Sequence, residues 1–233
     1  MRHISGDTVP NRHGAALVRC GGGFELSGVE WIAALPKPPY WLARDGTSVY
    51  GPVPALVGAI GLLDFGDGDI FDDATQRFRE RCVAAVLLAI AAVLLAIRIG
   101  GRRGVVAGAI AACSFAGMAT LGQGLWQQTV VLPILVGAVT VRVRWVAPAL
   151  LAIAVMMRPT IAPLVLGLGL AWCVEKPDRR TWIVASVATV IAVLPFALWN
   201  VAHGGSPLPT GQLAANAAVT DEIFVFSRAQ IGS

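Results

Sequence analysis

The chain has 233 residues, of which 56% are hydrophobic and 14% are charged, against roughly 25% charged residues in an ordinary soluble domain. The segments 104–141 and 181–200 contain no charged residue at all. This composition excludes a soluble enzyme, a disordered chain and a disulfide-rich scaffold. The net charge of +4 does not indicate nucleic-acid binding, because many Lys and Arg residues flank the apolar runs, where basic residues orient membrane helices.

The first 81 residues are mostly polar and rich in Gly and Pro, and we assign residues 1–81 to an extracytoplasmic loop region. Its single apolar run, 52–63, is too short to cross a hydrocarbon core of about 30 Å as a helix. This run predicts a short interfacial or re-entrant helix near 53–63 that begins at Pro54. An acidic stretch, 64–80, follows it.

A transmembrane helical bundle is predicted over residues 82–201, which makes the chain an all-α polytopic membrane protein with about six spans. The first span covers 82–97. The uncharged segment 104–141 would be about 57 Å long as one helix. It is therefore divided into two spans, with the turn at 122–124.

The second half of the bundle is predicted from a proline and a charged loop. The apolar segment 145–174 is interrupted by Arg158-Pro159, and helices usually stop or kink before proline. Two short spans that meet near Arg158 fit this pattern best, with one long tilted helix as the alternative. The last span covers 181–201, and an extracytoplasmic tail, 202–233, ends the chain.

The short loops predict the orientation in the cell membrane. The segments 98–103, 142–144 and 176–180 hold eight Lys and Arg residues, whereas the alternate loops at 122–124 and 158–159 hold one. The positive-inside rule places the basic segments in the cytoplasm. Both terminal regions are then extracytoplasmic and carry twelve of the fourteen acidic residues.

Few residues are candidates for chemistry on their spacing alone. Asp7 is a candidate general base or metal ligand, although its position near the chain end favours a solvated loop residue. Arg158 either binds a lipid phosphate or extends to the membrane interface. The polar and aromatic cluster formed by Gln123, Trp126 and Gln127 favours interfacial anchoring over hydrogen bonds to a sugar.

Several segments resemble polytopic glycosyltransferases of the GT-C superfamily. The first outer loop of that family is similar to GDTVPNRHGAALVRCGGGFELSGVEWI, and its continuation looks like PYWLARDGTSVYGPVPALVGAI. A Ser/Thr-x-x-Leu-Trp-Gln-His stretch resembles TLGQGLWQQTVVLPIL, and a helix-interrupting Arg-Pro-Thr resembles VMMRPTIAPLVL. A Tyr-Asn-x-x-x-x-Gly-Ser-Pro-Leu-x-Thr-Gly segment resembles WNVAHGGSPLPTGQ. The order of these segments, over most of the chain, carries the resemblance.

The resemblance implies an enzyme that transfers a sugar from a polyprenyl-phosphate donor to an acceptor on the outer face of the membrane. Asp7 matches the acidic residue that the family carries early in this loop, and is the implied catalytic residue. No cofactor is implied, and a divalent cation is left open because metal use varies across the superfamily. The expected partners are the lipid bilayer and the donor lipid. Donor phosphate or substrate contacts are expected from Arg158, Arg12, Gln123, Trp126 and Gln127.

The chain also departs from the family pattern. Gln128 stands where His is common, and the chain begins at the catalytic loop and stops at Ser233, as expected for a piece of a longer enzyme. The alternatives are a non-catalytic integral membrane protein or degenerate fragment, and a transporter. The transporter is the weaker of the two, because Arg158 alone qualifies as an intramembrane ionisable residue and no second half-repeat is visible.

Overall fold

The structure is a computed structural model that describes residues 9–29, 32, 34, 42–43, 45–61, 73–113 and 127–214. Every regular element in these ranges is a helix, and the strand-like pairing they contain is one isolated antiparallel bridge between Leu42 and Ser48. The all-α class predicted from the sequence is confirmed.

The described residues form eight α-helices and one short 3₁₀ helix. In chain order the helices are α1 (Val9–Arg19), α2 (Val53–Gly61), α3 (Asp73–Ile99), α4 (Gly101–Cys113), α5 (Gln127–Thr140), α6 (Val146–Met157), the 3₁₀ helix (Pro159–Ile161), α7 (Ala162–Val174) and α8 (Arg179–Gly204).

The six helices α3 to α8 alternate in direction and pack as a bundle. Helix α3 contacts α4 and α5, and α6 contacts α5, α7 and α8. The buried core lies at the end of the bundle where α5 begins and α6 ends, and consists of Val130, Val131, Ala154 and Met157. Val83 of α3 and Phe196 of α8 pack against this core.

The alternation gives the bundle two chemically different ends. We call the end where α3, α5 and α7 begin the capped end, because α1, α2 and residues 45–52 lie over it. We call the other end the basic end. One cavity there is lined by Arg98, Arg142, Arg144 and Glu175, so the loops after α3, α5 and α7 lie close together.

Among the residues that the structure describes, two helices are long and apolar enough to cross a membrane by length and composition. They are Arg77–Ile99 within α3, and α8, and they correspond to the first and last predicted spans. In the most apolar 18-residue segment of each helix, 22% is buried for Arg77–Ile99 and 6% for α8. Neither helix is therefore enclosed like the core helix of a soluble protein. Three shorter apolar helices in the described residues contain 12 to 16 residues (Thr129–Thr140, Val146–Met157 and Pro159–Val174). Because a spanning helix needs about 20 residues, the count of six spans stays a prediction.

Helix α3 begins earlier than the predicted span. The sequence places its start at Cys82, where the apolar run begins, but the helix extends back to Asp73. The added turns carry Arg79 and Glu80, which are buried under the cap. Burial of Glu80 is offset by its pairing with Arg12, and sequence hydropathy does not register such a partner.

The described part of the N-terminal region contains one predicted and one unpredicted helix. Helix α2 lies where the apolar run predicts it, while α1 falls in a segment assigned to loop. Helix α1 has a proline in its first turn, a position that proline favours. It packs along α2 so closely that a Cβ on Gly14 would lie 3.0 Å from Ala55 Cβ.

Helices α3 and α4 form a tight hairpin made by glycines. Gly100 and Gly101 both have positive φ angles, of 76° and 54°, which glycine adopts without the steric cost that other residues incur. A Cβ on Gly104 would lie 2.2 Å from Ala96 O, and one on Gly108 would lie 2.8 Å from Ala92 O. Small residues four apart allow helix backbones to approach in this way, as is common between membrane helices.

The predicted break at Arg158-Pro159 is confirmed. Helix α6 ends at Met157, Arg158 is extended with φ −148° and ψ 91°, and the 3₁₀ helix leads into α7. Proline disfavours the helical conformation of the residue before it, which explains why the break falls at Arg158. The alternative of one long helix over 145–174 is wrong.

Candidate functional site

Buried polar side chains are concentrated at the capped end. Burial of a polar group costs free energy unless the group is hydrogen-bonded or paired, so such a layer at the end of an apolar bundle is a candidate functional site. Its members come from α1, residues 45–52, α3, α5 and the segment after α8, and are Asn11, Arg12, Thr47, Arg79, Glu80, Thr129 and Gln212.

An ion pair between Arg12 and Glu80 joins α1 to α3. Arg12 Nε donates to Glu80 Oε1 at 2.8 Å, and Arg12 Nη2 donates to Glu80 Oε2 at 3.2 Å. The two side chains are only 4% and 5% exposed. A two-point contact of this kind suits the planar guanidinium group, which matches a carboxylate in shape. The pair fixes α1 over the first turns of α3.

A second pair joins Asp45 to the last turn of α8. Thr47 donates from its backbone N and its Oγ1 to Asp45 Oδ1, at 3.1 Å and 2.7 Å. Asp45 Oδ2 contacts His203 Nδ1. The ring of His203 packs on Trp199, with centroids 4.0 Å apart, and Phe24 packs edge-on against Trp199 at 4.9 Å. The loop that carries Asp45 is thereby held on the end of α8.

These contacts keep Asp45 ionised. Partial burial acts to raise the pKa of Asp45, but the hydrogen bonds from Thr47 and His203 outweigh it and hold that pKa below its ordinary value. The result is a partly exposed, ionised carboxylate that contacts an imidazole.

Arg158 lies at the same end of the bundle. Met157, the residue before it, lines a narrow cleft together with Tyr50, Asn200 and Gln212. This cleft holds about 10 Å³, which is room for about one water molecule. Because α6 stops at Met157, the side chain of Arg158 starts from an extended backbone at the edge of the cap.

The other predicted site residues are described only in part. Asp7, Gln123 and Trp126 lie outside the described residues, and Gln127 is described as the first residue of α5 without its side chain. Arg12 is engaged with Glu80, which gives it a structural role in the cap, and its contact with a substrate stays a prediction.

The contact between Asp45 and His203 is not predicted by the sequence. The two residues are 158 positions apart, and each is an ordinary loop or helix-end residue in its own segment. Both residues lie within segments that carry the family resemblance, ARDGTSVYGP and WNVAHGGSP. That shared resemblance is the sequence feature that could have indicated them.

No family model, curated protein or solved structure matches this chain. Within the described ranges, no group of three or more His, Cys, Asp or Glu residues is arranged to hold a metal ion.

We predict that the two changes that remove the Arg12–Glu80 pair have non-additive effects on stability, because the two side chains contact each other. Glu80→Leu removes the two hydrogen bonds that the buried Arg12 guanidinium donates to Glu80, and should cost about 3–5 kcal/mol of unfolding free energy. The double variant with Arg12→Met should cost clearly less than the sum of the two single changes. Unfolding in mixed detergent micelles, followed by circular dichroism, measures the unfolding free energy of each variant.

Arg19→Met, an exposed position on the same helix, is the control and should change stability by less than about 0.5 kcal/mol. Additive effects of the two changes would contradict the prediction.

We also predict that the Asp45–His203 contact protects residues 45–51 from hydrogen exchange. Asp45→Asn should lower their protection factors about threefold to tenfold, whereas Glu25→Gln, an exposed carboxylate bonded to Ser27, should not. Because the pKa of folded Asp45 is lowered, its contribution is complete above about pH 4 and is lost as the pH falls through the lower folded value. Protection in the wild type should therefore approach that of Asp45→Asn on acidification, and a pH-independent difference would refute the assignment.

Proposed function

We propose that the protein is a membrane glycosyltransferase, or part of one, that uses a polyprenyl-phosphate sugar as donor on the outer face of the membrane. One observation carries the proposal. Segments that resemble the GT-C superfamily are far apart in the sequence, yet their described parts meet at the capped end: α1, residues 45–52, Arg158 and residues 199–212. A shared site explains why distant segments of one chain each resemble the same family.

The exposed surface supports a place in the bilayer. Helix α8 leaves nearly all of its apolar window uncovered, and large apolar side chains on α7 and α8 are exposed, including Leu166, Leu170, Val190 and Ile191. Large exposed apolar side chains grouped on one surface are unfavourable in water, whereas contact with hydrocarbon is favourable for them. In this proposal Arg77–Ile99 and α8 cross the full hydrocarbon core, and the shorter helices of the six predicted spans cross beside them where the bilayer is locally thinned.

The basic loops support the orientation. With Arg98, Arg142 and Arg144 in the cytoplasm, as the positive-inside rule requires, the capped end faces outward. The polar cap then lies where a lipid-linked sugar and its acceptor meet.

The chemistry is a displacement at the anomeric carbon. The acceptor hydroxyl attacks this carbon, and the bond from the carbon to the phosphate oxygen breaks, leaving polyprenyl phosphate. Asp7 takes the hydroxyl proton, which makes a poor nucleophile competent. The departing phosphate gains one negative charge, which the guanidinium of Arg158 offsets. The exposed apolar faces of α7 and α8 provide a surface for the prenyl chain.

The direct test is sugar transfer by membranes that contain the full chain. Radiolabelled polyprenyl-phosphate sugars serve as donors, and transfer by the wild type is compared with that of Asp7→Asn and Arg158→Leu. We expect kcat/KM to fall by about 10²–10⁴-fold for Asp7→Asn and by about a hundredfold for Arg158→Leu. Glu25→Gln, which removes an exposed carboxylate in the N-terminal region, should leave transfer unchanged. Equal transfer by Asp7→Asn and the wild type would remove Asp7 from the mechanism, and no transfer by any form would favour a non-catalytic membrane protein.

The orientation has its own test, because exposed Cys20 lies in the cap. In a variant whose sole cysteine is Cys20, a membrane-impermeant maleimide should label intact cells. In a second variant whose sole cysteine is introduced by Lys176→Cys, labelling should require permeabilised cells. The reverse pattern would place the capped end in the cytoplasm and would end the proposal of transfer on the outer face.

A further inference from the structure

The basic end contains a cavity that the proposed reaction does not use. It holds about 470 Å³ and lies between the ends of α3, α5, α6 and α7. Its polar lining comes from Arg98, Arg142, Arg144 and Glu175, and most of the remaining lining is apolar. An adjoining cleft of about 260 Å³ shares Arg98 and Arg142 and continues between α3 and α5. The cavity therefore combines a cationic rim with an apolar interior.

The rim has a surplus of positive charge. Three guanidinium groups face one carboxylate, and Glu175 reaches only Arg144, at 3.9 Å between Oε2 and Nε. Both of these side chains are more than half exposed, so their attraction is weak. Arg98 and Arg142 form no ion pair with a carboxylate in the part of the chain that the structure describes. The rim is thus suited to an anion of one or two charges.

Tryptophans place the rim at headgroup depth once the chain is in a bilayer. Trp172 lines the cavity, and its Nε1 donates to Arg144 O at 2.8 Å. Trp182 packs edge-on against Trp172, with centroids 4.7 Å apart, and exposed Trp145 lies at the same end. Tryptophan is enriched where membrane and water meet, so this group marks the interface. The cavity opens at the level of lipid phosphates.

We propose that this cavity binds the phosphate-bearing headgroup of an anionic glycerophospholipid. Guanidinium groups match phosphate in geometry and charge, and basic pockets between membrane helices on the cytoplasmic side are suited to anionic headgroups. Apolar residues beside the arginines accommodate the start of the acyl chains. The inference rests on the membrane placement proposed above and not on sugar transfer, which occurs at the opposite end.

The test is lipid binding to the purified full chain in a neutral detergent, followed by native mass spectrometry. Phosphatidylglycerol is the probe, phosphatidylcholine the uncharged comparison, and glycerol 3-phosphate the soluble competitor. We expect phosphatidylglycerol to bind at least about tenfold more tightly than phosphatidylcholine. Changing Arg98 and Arg142 together to Gln should weaken phosphatidylglycerol binding by about thirtyfold.

The matched control is the double variant Arg179→Gln with Arg180→Gln. It removes the same charge from the same end but does not alter the cavity lining, and should change affinity by less than about threefold. Equal losses of phosphatidylglycerol affinity in the two double variants would show general electrostatic attraction to this end of the protein. That result would overturn the proposed site. Equal affinity for the two lipids would also overturn it. Displacement of phosphatidylglycerol by glycerol 3-phosphate at comparable concentration would assign the cavity to a soluble phosphate compound instead. Sugar transfer is measured separately, so failure of lipid binding leaves that proposal standing.

Discussion

The polar cap depends on the buried pair of Arg12 and Glu80. Two charges that have left water are stabilised there by the two hydrogen bonds between them, because burial of a charge is costly unless the charge is paired. The pair anchors α1, and α1 in turn packs on α2. Removal of this constraint would leave α1 held by its packing on α2, where Gly14 lies against Ala55.

The bundle separates two kinds of electrostatic environment. At the capped end the charges contact partners: the contact of Arg12 with Glu80 is buried, and that of Asp45 with His203 is partly exposed. At the basic end the arginines are exposed around a cavity. Alternating helix direction sends successive loops to opposite ends, and the basic residues occur in alternate loops, so they gather at one end.

Aromatic side chains hold α8 in place at both of its ends. Near its start, Trp182 contacts Trp172 of α7, and near its end, Trp199 contacts Phe24 and His203. The long middle of α8 has little buried surface. The helix is therefore positioned by its two ends, while its apolar middle is left for lipid in the proposed bilayer setting.

The sequence alone determined the helical class, the two long apolar helices, the short helix near 53–63 and the break at Arg158. These features are local, since they depend on runs of hydrophobic residues and on the effect of one proline on its neighbour. Tertiary structure alone decided α1, the extension of α3 to Asp73, the contacts of Arg12 with Glu80 and of Asp45 with His203, and the gathering of arginines around one cavity. The paired residues are 68 and 158 positions apart, and a polar side chain is favourable in a buried site only once its partner is present, so no single segment contains the information.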